Sequence, residues 1–229
     1  MNKKWLKMNK KQFSQTTTIG GVITIFIVLF SLIVMMPKSS TSNTKKIVLI
    51  GDSITESWKG YSPEFFAENP RLINKGVSGE TTPQILDRFN NDVVSFEPEL
   101  VIILAGINDI AQNTGYISIP ETFTNIINMV EIANSHNIRP VLCSVLPANK
   151  IAWKPEIKSA DLVIELNDKL KDYCAENNIA YVDYFSSMVG EKKELRPELT
   201  YDGIHPDKNG YTIMEGVLLD LLKKYFNFI

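Results

Sequence analysis

Short apolar runs recur along the chain, each ending at a polar or glycine-containing step and most followed by a longer stretch with helical spacing. The runs are Ile47–Ile50, Leu72–Asn74, Leu100–Ala105, Pro140–Val145 and Ala180–Val182. Three of them are near-continuous Val, Ile and Leu, as strands buried on both faces are. Between them lie helical patterns. Thr82–Val94 carries Pro83 near its start, where proline is tolerated. Glu121–Asn137 places Phe123, Ile126, Ile127, Val130 and Ile132 on one face. Ala160–Asn177 does the same with Leu162, Val163, Leu166, Leu170 and Tyr173, and a last helix is expected over about Lys208–Phe226. Strands alternating with helices predict parallel pairing, right-handed crossovers and a three-layer α/β/α sandwich. In such sheets ligands bind beyond the carboxyl ends of the strands.

The first 44 residues follow another pattern. Lys3, Lys4, Lys7, Lys10 and Lys11 precede Ile19–Met36, 18 uncharged and mostly apolar residues. At about 1.5 Å rise per residue this run is near the lower limit for crossing a bilayer. The basic flank, residues 1–18, is expected to stay in the cytoplasm, with 19–36 as a single-pass signal anchor. Residues 37–44 read as a polar linker, and residues 45–229 as one domain outside the cytoplasm, at the cell membrane. A cleaved signal peptide and a secreted domain are the competing reading. No Ala-x-Ala site follows the run, and no cysteine lies near it.

Charge and cysteine content narrow the partners. Six lysines and no acidic residue fall in the first 44 positions, so the remainder holds 18 basic and 26 acidic residues, a formal net of −8. A domain this acidic is a poor ligand for nucleic acid. Cys143 lies in a strand pattern and Cys174 in a helical one, which reads as two buried thiols. A disulfide stays open outside the cell.

The chemistry-bearing residues sit at the strand ends. Ile47–Ile50 stops at Gly51-Asp52-Ser53, which puts a hydroxyl where a buried strand turns into a loop. Ser53 also reads as the N-cap of a helix beginning near Thr55. Gly79, after the second strand, permits close approach of backbone N–H groups to a ligand, or marks a plain turn. Asn108, after the third strand, has an amide able to donate to an oxyanion, or to cap a turn. Near the end of the chain Asp202 precedes His205 by three residues, with Gly203 between them and Pro206 behind. Serine, histidine and carboxylate are the parts of an activated-oxygen nucleophile. The other histidine, His136, falls at the polar end of a helical pattern and reads as solvated.

With these blocks in view, the chain closely resembles the GDSL, or SGNH, hydrolase family. Gly51-Asp52-Ser53-Ile54 resembles the first family block, with Ile54 in place of the usual Leu. Gly79 matches the second, Gly106-Ile107-Asn108-Asp109 the third and Asp202-Gly203-Ile204-His205 the last. The resemblance implies a flavodoxin-like five-stranded sheet in the order 2-1-3-4-5. It also implies an ester hydrolase with no metal or organic cofactor, closest to small bacterial acylhydrolases of the acetylhydrolase type.

The residues themselves support the same mechanism. Ser53 attacks an ester carbonyl, His205 takes its proton and Asp202 holds the imidazole. The oxyanion meets the N–H groups of Ser53 and Gly79 and the Asn108 amide, each such donor being worth about 3–4 kcal/mol. Asp52 and Asp109 brace the loops. Trp153, in the loop after the fourth strand, and Trp58 and Tyr61, in the first loop, are candidate walls of a small acyl pocket. Packing is the competing role for each. The expected substrate is a short acyl ester, foremost acetyl on a glycan, with lysophospholipid or other lipid esters as the alternative. A non-catalytic glycan-binding domain of the same fold is the rival from another class. A flavodoxin-like redox or receiver domain would need a flavin-phosphate loop or an acidic phosphorylation pocket, and neither is evident.

Overall fold

The computed structural model describes residues 45–226. Five parallel strands form one sheet: β1 (Ile47–Gly51), β2 (Leu72–Gly76), β3 (Leu100–Leu104), β4 (Arg139–Cys143) and β5 (Ala180–Val182), in the order β2-β1-β3-β4-β5. Every residue of β1 and β3 is buried. That is why these runs read as unbroken Val, Ile and Leu: a strand covered on both faces has no solvent side on which polar residues are favoured.

The helices form two layers. α1 (Ser53–Tyr61), α2 (Pro63–Glu68) and the last helix lie on one side, where the last helix touches α1. On the other side α3 (Thr82–Asp87) packs on α6 (Ile119–Ser135), and α6 packs on α7 (Ser159–Asn177). Between these come α4 (Phe89–Asp92) and α5 (Ile107–Ile110), and then α8 (Tyr184–Met188) and α9 (Lys208–Phe226). Right-handed crossovers from an interior β1 require this division, because the chain first moves one way along the sheet and then the other.

Several elements differ from the sequence reading. The stretch 82–94 is not one helix. It breaks at Arg88, whose backbone leaves the helical region (φ −93°, ψ 0°) while its guanidinium reaches across to the carbonyls of Gly51 and Lys75, both at 2.9 Å. α6 begins at Ile119, two residues earlier than expected, because Ser118 and Glu121 form a capping box. Ser53 is not a cap either. Asp52 caps α1, its Oδ1 accepting the Ile54 N–H at 3.0 Å, and Ser53 is the first helical residue. The Ile19–Met36 run and its basic flank lie outside the described residues. Among the described residues no helix is long and apolar enough to cross a membrane.

Candidate active site

The site is built on the carboxyl ends of the three neighbouring strands β2, β1 and β3. Gly51, the last residue of β1, is in register with Gly76 of β2 and Leu104 of β3. Ser53 lies two residues beyond this line, Gly79 three and Asn108 four, so the register alone gathers them at one rim of the sheet. Ser53 is partly buried at the N-terminus of α1. Its neighbour Asp52 is 1 % exposed, and burial pushes its carboxyl up to about 7 despite the Ile54 N–H and the nearby His205, which both favour the anion. The Arg88 guanidinium also pairs with Glu80 at 2.5 Å and Asp92 at 2.8 Å, so one cation ties the ends of β1 and β2 together.

Asp202 and His205 arrive on the loop between α8 and α9. Ser53 Oγ stands 2.9 Å from His205 Nε2, and His205 Nδ1 stands 2.6 Å from Asp202 Oδ2. The second carboxylate oxygen accepts two backbone N–H groups, from Ile204 at 2.9 Å and His205 at 2.8 Å. Partial burial works against the Asp202 anion, but these donors and the imidazole outweigh it and hold the carboxyl below its ordinary range. Gly203 takes the left-handed conformation (φ 88°) that lets so short a loop turn back on itself. Thr200 clasps the loop, accepting the Gly203 N–H at 3.0 Å and donating its hydroxyl to the His205 carbonyl at 2.6 Å. A serine, an imidazole and a carboxylate in this line can pass a proton from oxygen to nitrogen and hold the resulting cation.

The neighbouring loops carry further N–H donors. The N–H groups of Ser53 and Gly79 bond to nothing among the described residues. Asn108 is 5 % exposed and sits in α5, which Gly106 starts in a conformation (φ 124°) restricted to glycine. A Cβ at Gly106 would also stand 2.7 Å from Leu166 Cδ2. Asn108 Nδ2 donates to the Glu80 carbonyl at 3.0 Å, joining the loop after β3 to the loop that holds Gly79. Asp109 is fully buried and makes the same junction deeper down, accepting the Thr82 N–H at 2.9 Å and the Thr82 hydroxyl at 2.5 Å. Burial raises its carboxyl pKa in spite of those donors.

The aromatic candidates divide. Trp58 does not line the site. It is 1 % exposed, stacks on Phe65 and Tyr211, and donates its indole N–H to Glu215 at 3.1 Å. Ile54 and Trp58, four apart on α1, share its inward face, so packing claims the ring. Trp153 is 47 % exposed and its indole N–H reaches Asn113 Oδ1 at 3.2 Å. Tyr61 is half-exposed and stacks on Tyr201, which lies parallel to the His205 ring at 5.8 Å between centroids, with 9° between the planes. Arg88, Asn113, Thr200 and Tyr201 escaped the sequence reading. The last two adjoin the Asp202–His205 block, the only signal that could have drawn attention to them.

Other reactive groups lie elsewhere. His136 caps the far end of α6 and is exposed. Cys143 and Cys174 are free and buried, and burial pushes the Cys174 thiol up to about 12 and Cys143 further. Among the described residues no group of three or more His, Cys, Asp or Glu is placed to hold a metal.

Comparison with known proteins places the chain in a family. The sequence matches the GDSL-like lipase/acylhydrolase family over residues 49–213. It is 25 % identical over 211 residues to the isoamyl acetate-hydrolyzing esterase of Saccharomyces cerevisiae, covering 80 % of this chain and 87 % of the relative. An acetylxylan esterase of Geobacillus stearothermophilus is 25 % identical over 163 residues, 65 % of this chain and 70 % of that protein. A further match, to a lipoprotein of Bacillus subtilis, spans 57 % of that relative's length. The crystal structure of a GDSL-like lipase from Bacteroides thetaiotaomicron superposes with a TM-score of 0.77 at 41 % identity, covering 80 % of this chain and 90 % of that one.

Proposed function

The chain belongs to the GDSL-like lipase/acylhydrolase family and is a carboxylic ester hydrolase, and from that premise we propose that it removes short acyl groups, foremost acetyl, through Ser53, His205 and Asp202. The observation that carries the proposal is the unbroken line of contacts, 2.9 Å from serine to imidazole and 2.6 Å from imidazole to carboxylate. Ser53 Oγ attacks the ester carbonyl carbon and its proton passes to His205 Nε2. Asp202 stabilises the imidazolium and keeps the ring in the required tautomer. The carbonyl oxygen, now an anion, is met by the Ser53 and Gly79 N–H groups and by Asn108 Nδ2. The imidazolium returns its proton to the departing alcohol, leaving an acyl-serine. Water, deprotonated by His205, then attacks the acyl-serine, and collapse releases the carboxylic acid and restores the serine.

Acetyl is favoured because two relatives are named for acetate esters, isoamyl acetate and acetylxylan. A glycan as the carrier is favoured by exposed rings on both flanks: Trp153, joined through Asn113 to Asn108, and Tyr201 beside His205. Flat apolar ring faces of this kind suit the C–H faces of sugars. We further propose that residues 19–36 anchor the domain outside the cytoplasm, supported by the lysine flank and the apolar run that follows it. Intact cells treated with protease then lose the domain, and full protection would reject that topology.

The test of function is a panel of acetylated sugars, lysophospholipids and p-nitrophenyl esters of rising chain length, run on wild type and Ser53→Ala. Acetyl esters are expected to turn over fastest, and a fluorophosphonate probe to label wild type alone. Near-normal turnover by folded Ser53→Ala would remove the assignment, and preference for lysophospholipids would move the substrate to lipid.

A further inference from the structure

Three hydrogen bonds run in one direction from the exposed rim to the floor of the site. Trp153 Nε1 donates to Asn113 Oδ1 at 3.2 Å, Asn113 Nδ2 donates to Asn108 Oδ1 at 2.7 Å, and Asn108 Nδ2 donates to the Glu80 carbonyl at 3.0 Å. The two ends have no choice of role, since an indole nitrogen can only donate and a backbone carbonyl can only accept. Each amide between them is therefore fixed in orientation. Turning either one over would set donor against donor or acceptor against acceptor. Asn108 Nδ2 has two hydrogens, and Glu80 uses one. The line thus leaves a second Asn108 N–H of fixed orientation beside the loop that holds Gly79.

The turn that carries Asn113 looks built for this work. Gln112 (φ 55°) and Gly115 (φ 110°) both take left-handed conformations, and the Asn113 N–H returns to the Asn108 carbonyl at 3.1 Å. Backbone and side chain of Asn113 thus both hold Asn108. The next residue, Thr114, places its hydroxyl 3.4 Å from that of Thr81, two positions after Gly79. Asn113 is exposed, so no share in the core accounts for it.

We infer that Asn113 is a positioning residue for the oxyanion site, holding the Asn108 amide with its nitrogen toward the developing charge, and that Trp153 fixes Asn113 in turn. This rests on the reading of Asn108 as an oxyanion donor. It makes the loop bearing Trp153 part of the rate-determining machinery as well as a wall for substrate.

The experiment measures kcat and KM on p-nitrophenyl acetate for Asn113→Ala, Asn113→Asp, Trp153→Phe, Asn108→Ala and the double variant Asn108→Ala/Asn113→Ala, with thermal melts to confirm folding. Asn113→Ala is expected to lower kcat about 10-fold with KM within about twofold, because the donor is loosened rather than lost. Asn113→Asp has the same shape but sets an acceptor against Asn108 Oδ1, and should lose at least as much. Trp153→Phe keeps the ring, lacks the N–H and should lose about threefold in kcat. In the Asn108→Ala background, Asn113→Ala should have no further effect, since two residues acting as one unit are not additive. Wild-type kcat in folded Asn113→Asp, or the same loss from Asn113→Ala with and without Asn108, would overturn the inference. A normal kcat in Asn108→Ala would instead remove the oxyanion reading beneath it.

Discussion

Asp52 offers a test of the site's electrostatics that needs no substrate. Its carboxyl is 1 % exposed, and burial raises it from an ordinary 3.8 to about 7. Below about pH 4 the acid is protonated in both the folded and the unfolded chain, and the pH costs neither state anything. As the pH rises, the unfolded chain ionises while the folded chain keeps its proton. Folding therefore loses about 1.4 kcal/mol per pH unit until the pH reaches the folded pKa, and the loss is constant above it. Three units of separation amount to about 4 kcal/mol. Asp52→Asn retains an oxygen to accept the Ile54 N–H and cannot ionise. Relative to wild type its stability should climb steadily between pH 4 and 7 and level off by pH 8. Urea titrations followed by tryptophan fluorescence at one-unit intervals read this directly. Any fixed cost of placing an amide nitrogen there drops out, because only the slope matters. A difference that stays flat across this range, or falls as pH rises, would refute the account of Asp52 as a carboxyl neutralised by its surroundings.

Five other substitutions separate the remaining roles. Asn108→Ala should lower kcat roughly 100-fold with a smaller change in KM, as a donor acting on the transition state does. A rise in KM alone would make it a substrate contact. Gly106→Ala should destabilise the fold by about 3 kcal/mol or more, from its φ of 124° and the approach to Leu166. Gly79→Ala meets no atom within 4 Å and should cost about 1 kcal/mol, so equal melting temperatures for the two variants would contradict the geometry. His205→Ala should abolish activity and His136→Ala should leave it intact on p-nitrophenyl acetate. Loss in both would point to a role for the exposed helix cap that its surroundings do not suggest.

The sheet was legible because its strands are covered on both faces, so Ile47–Ile50 and Leu100–Leu104 show no polar residue at all. The long helices α6, α7 and α9 were legible from periodicity over four turns or more. α2, α5 and α8 run for only four to six residues, too short for a period to emerge, and their caps and neighbours define them. The break at Arg88 was invisible because its cause lies across the sheet, at the carbonyls of Gly51 and Lys75. Ser53, Gly79 and Asn108 could be singled out because each follows a strand end, and Asp202 and His205 because they flank Gly203 at a three-residue spacing. Trp58 misled because its neighbours in sequence are the nucleophile's loop, whereas its neighbours in space are Phe65 and Tyr211. Asn113 carries no local mark, since its meaning comes from Trp153, 40 positions away.

Between α1 and α9 the contacts hold the helix that begins at the proposed nucleophile. The Tyr211 hydroxyl donates to the Ile54 carbonyl at 2.8 Å, and Glu215 accepts from Trp58. Ser53 and His205, the two halves of the proposed proton path, are 152 positions apart. A ribosome has therefore released most of the domain before the proposed centre can exist. On the proposed mechanism, a nascent chain that has not yet been made as far as His205 has its serine but not its base.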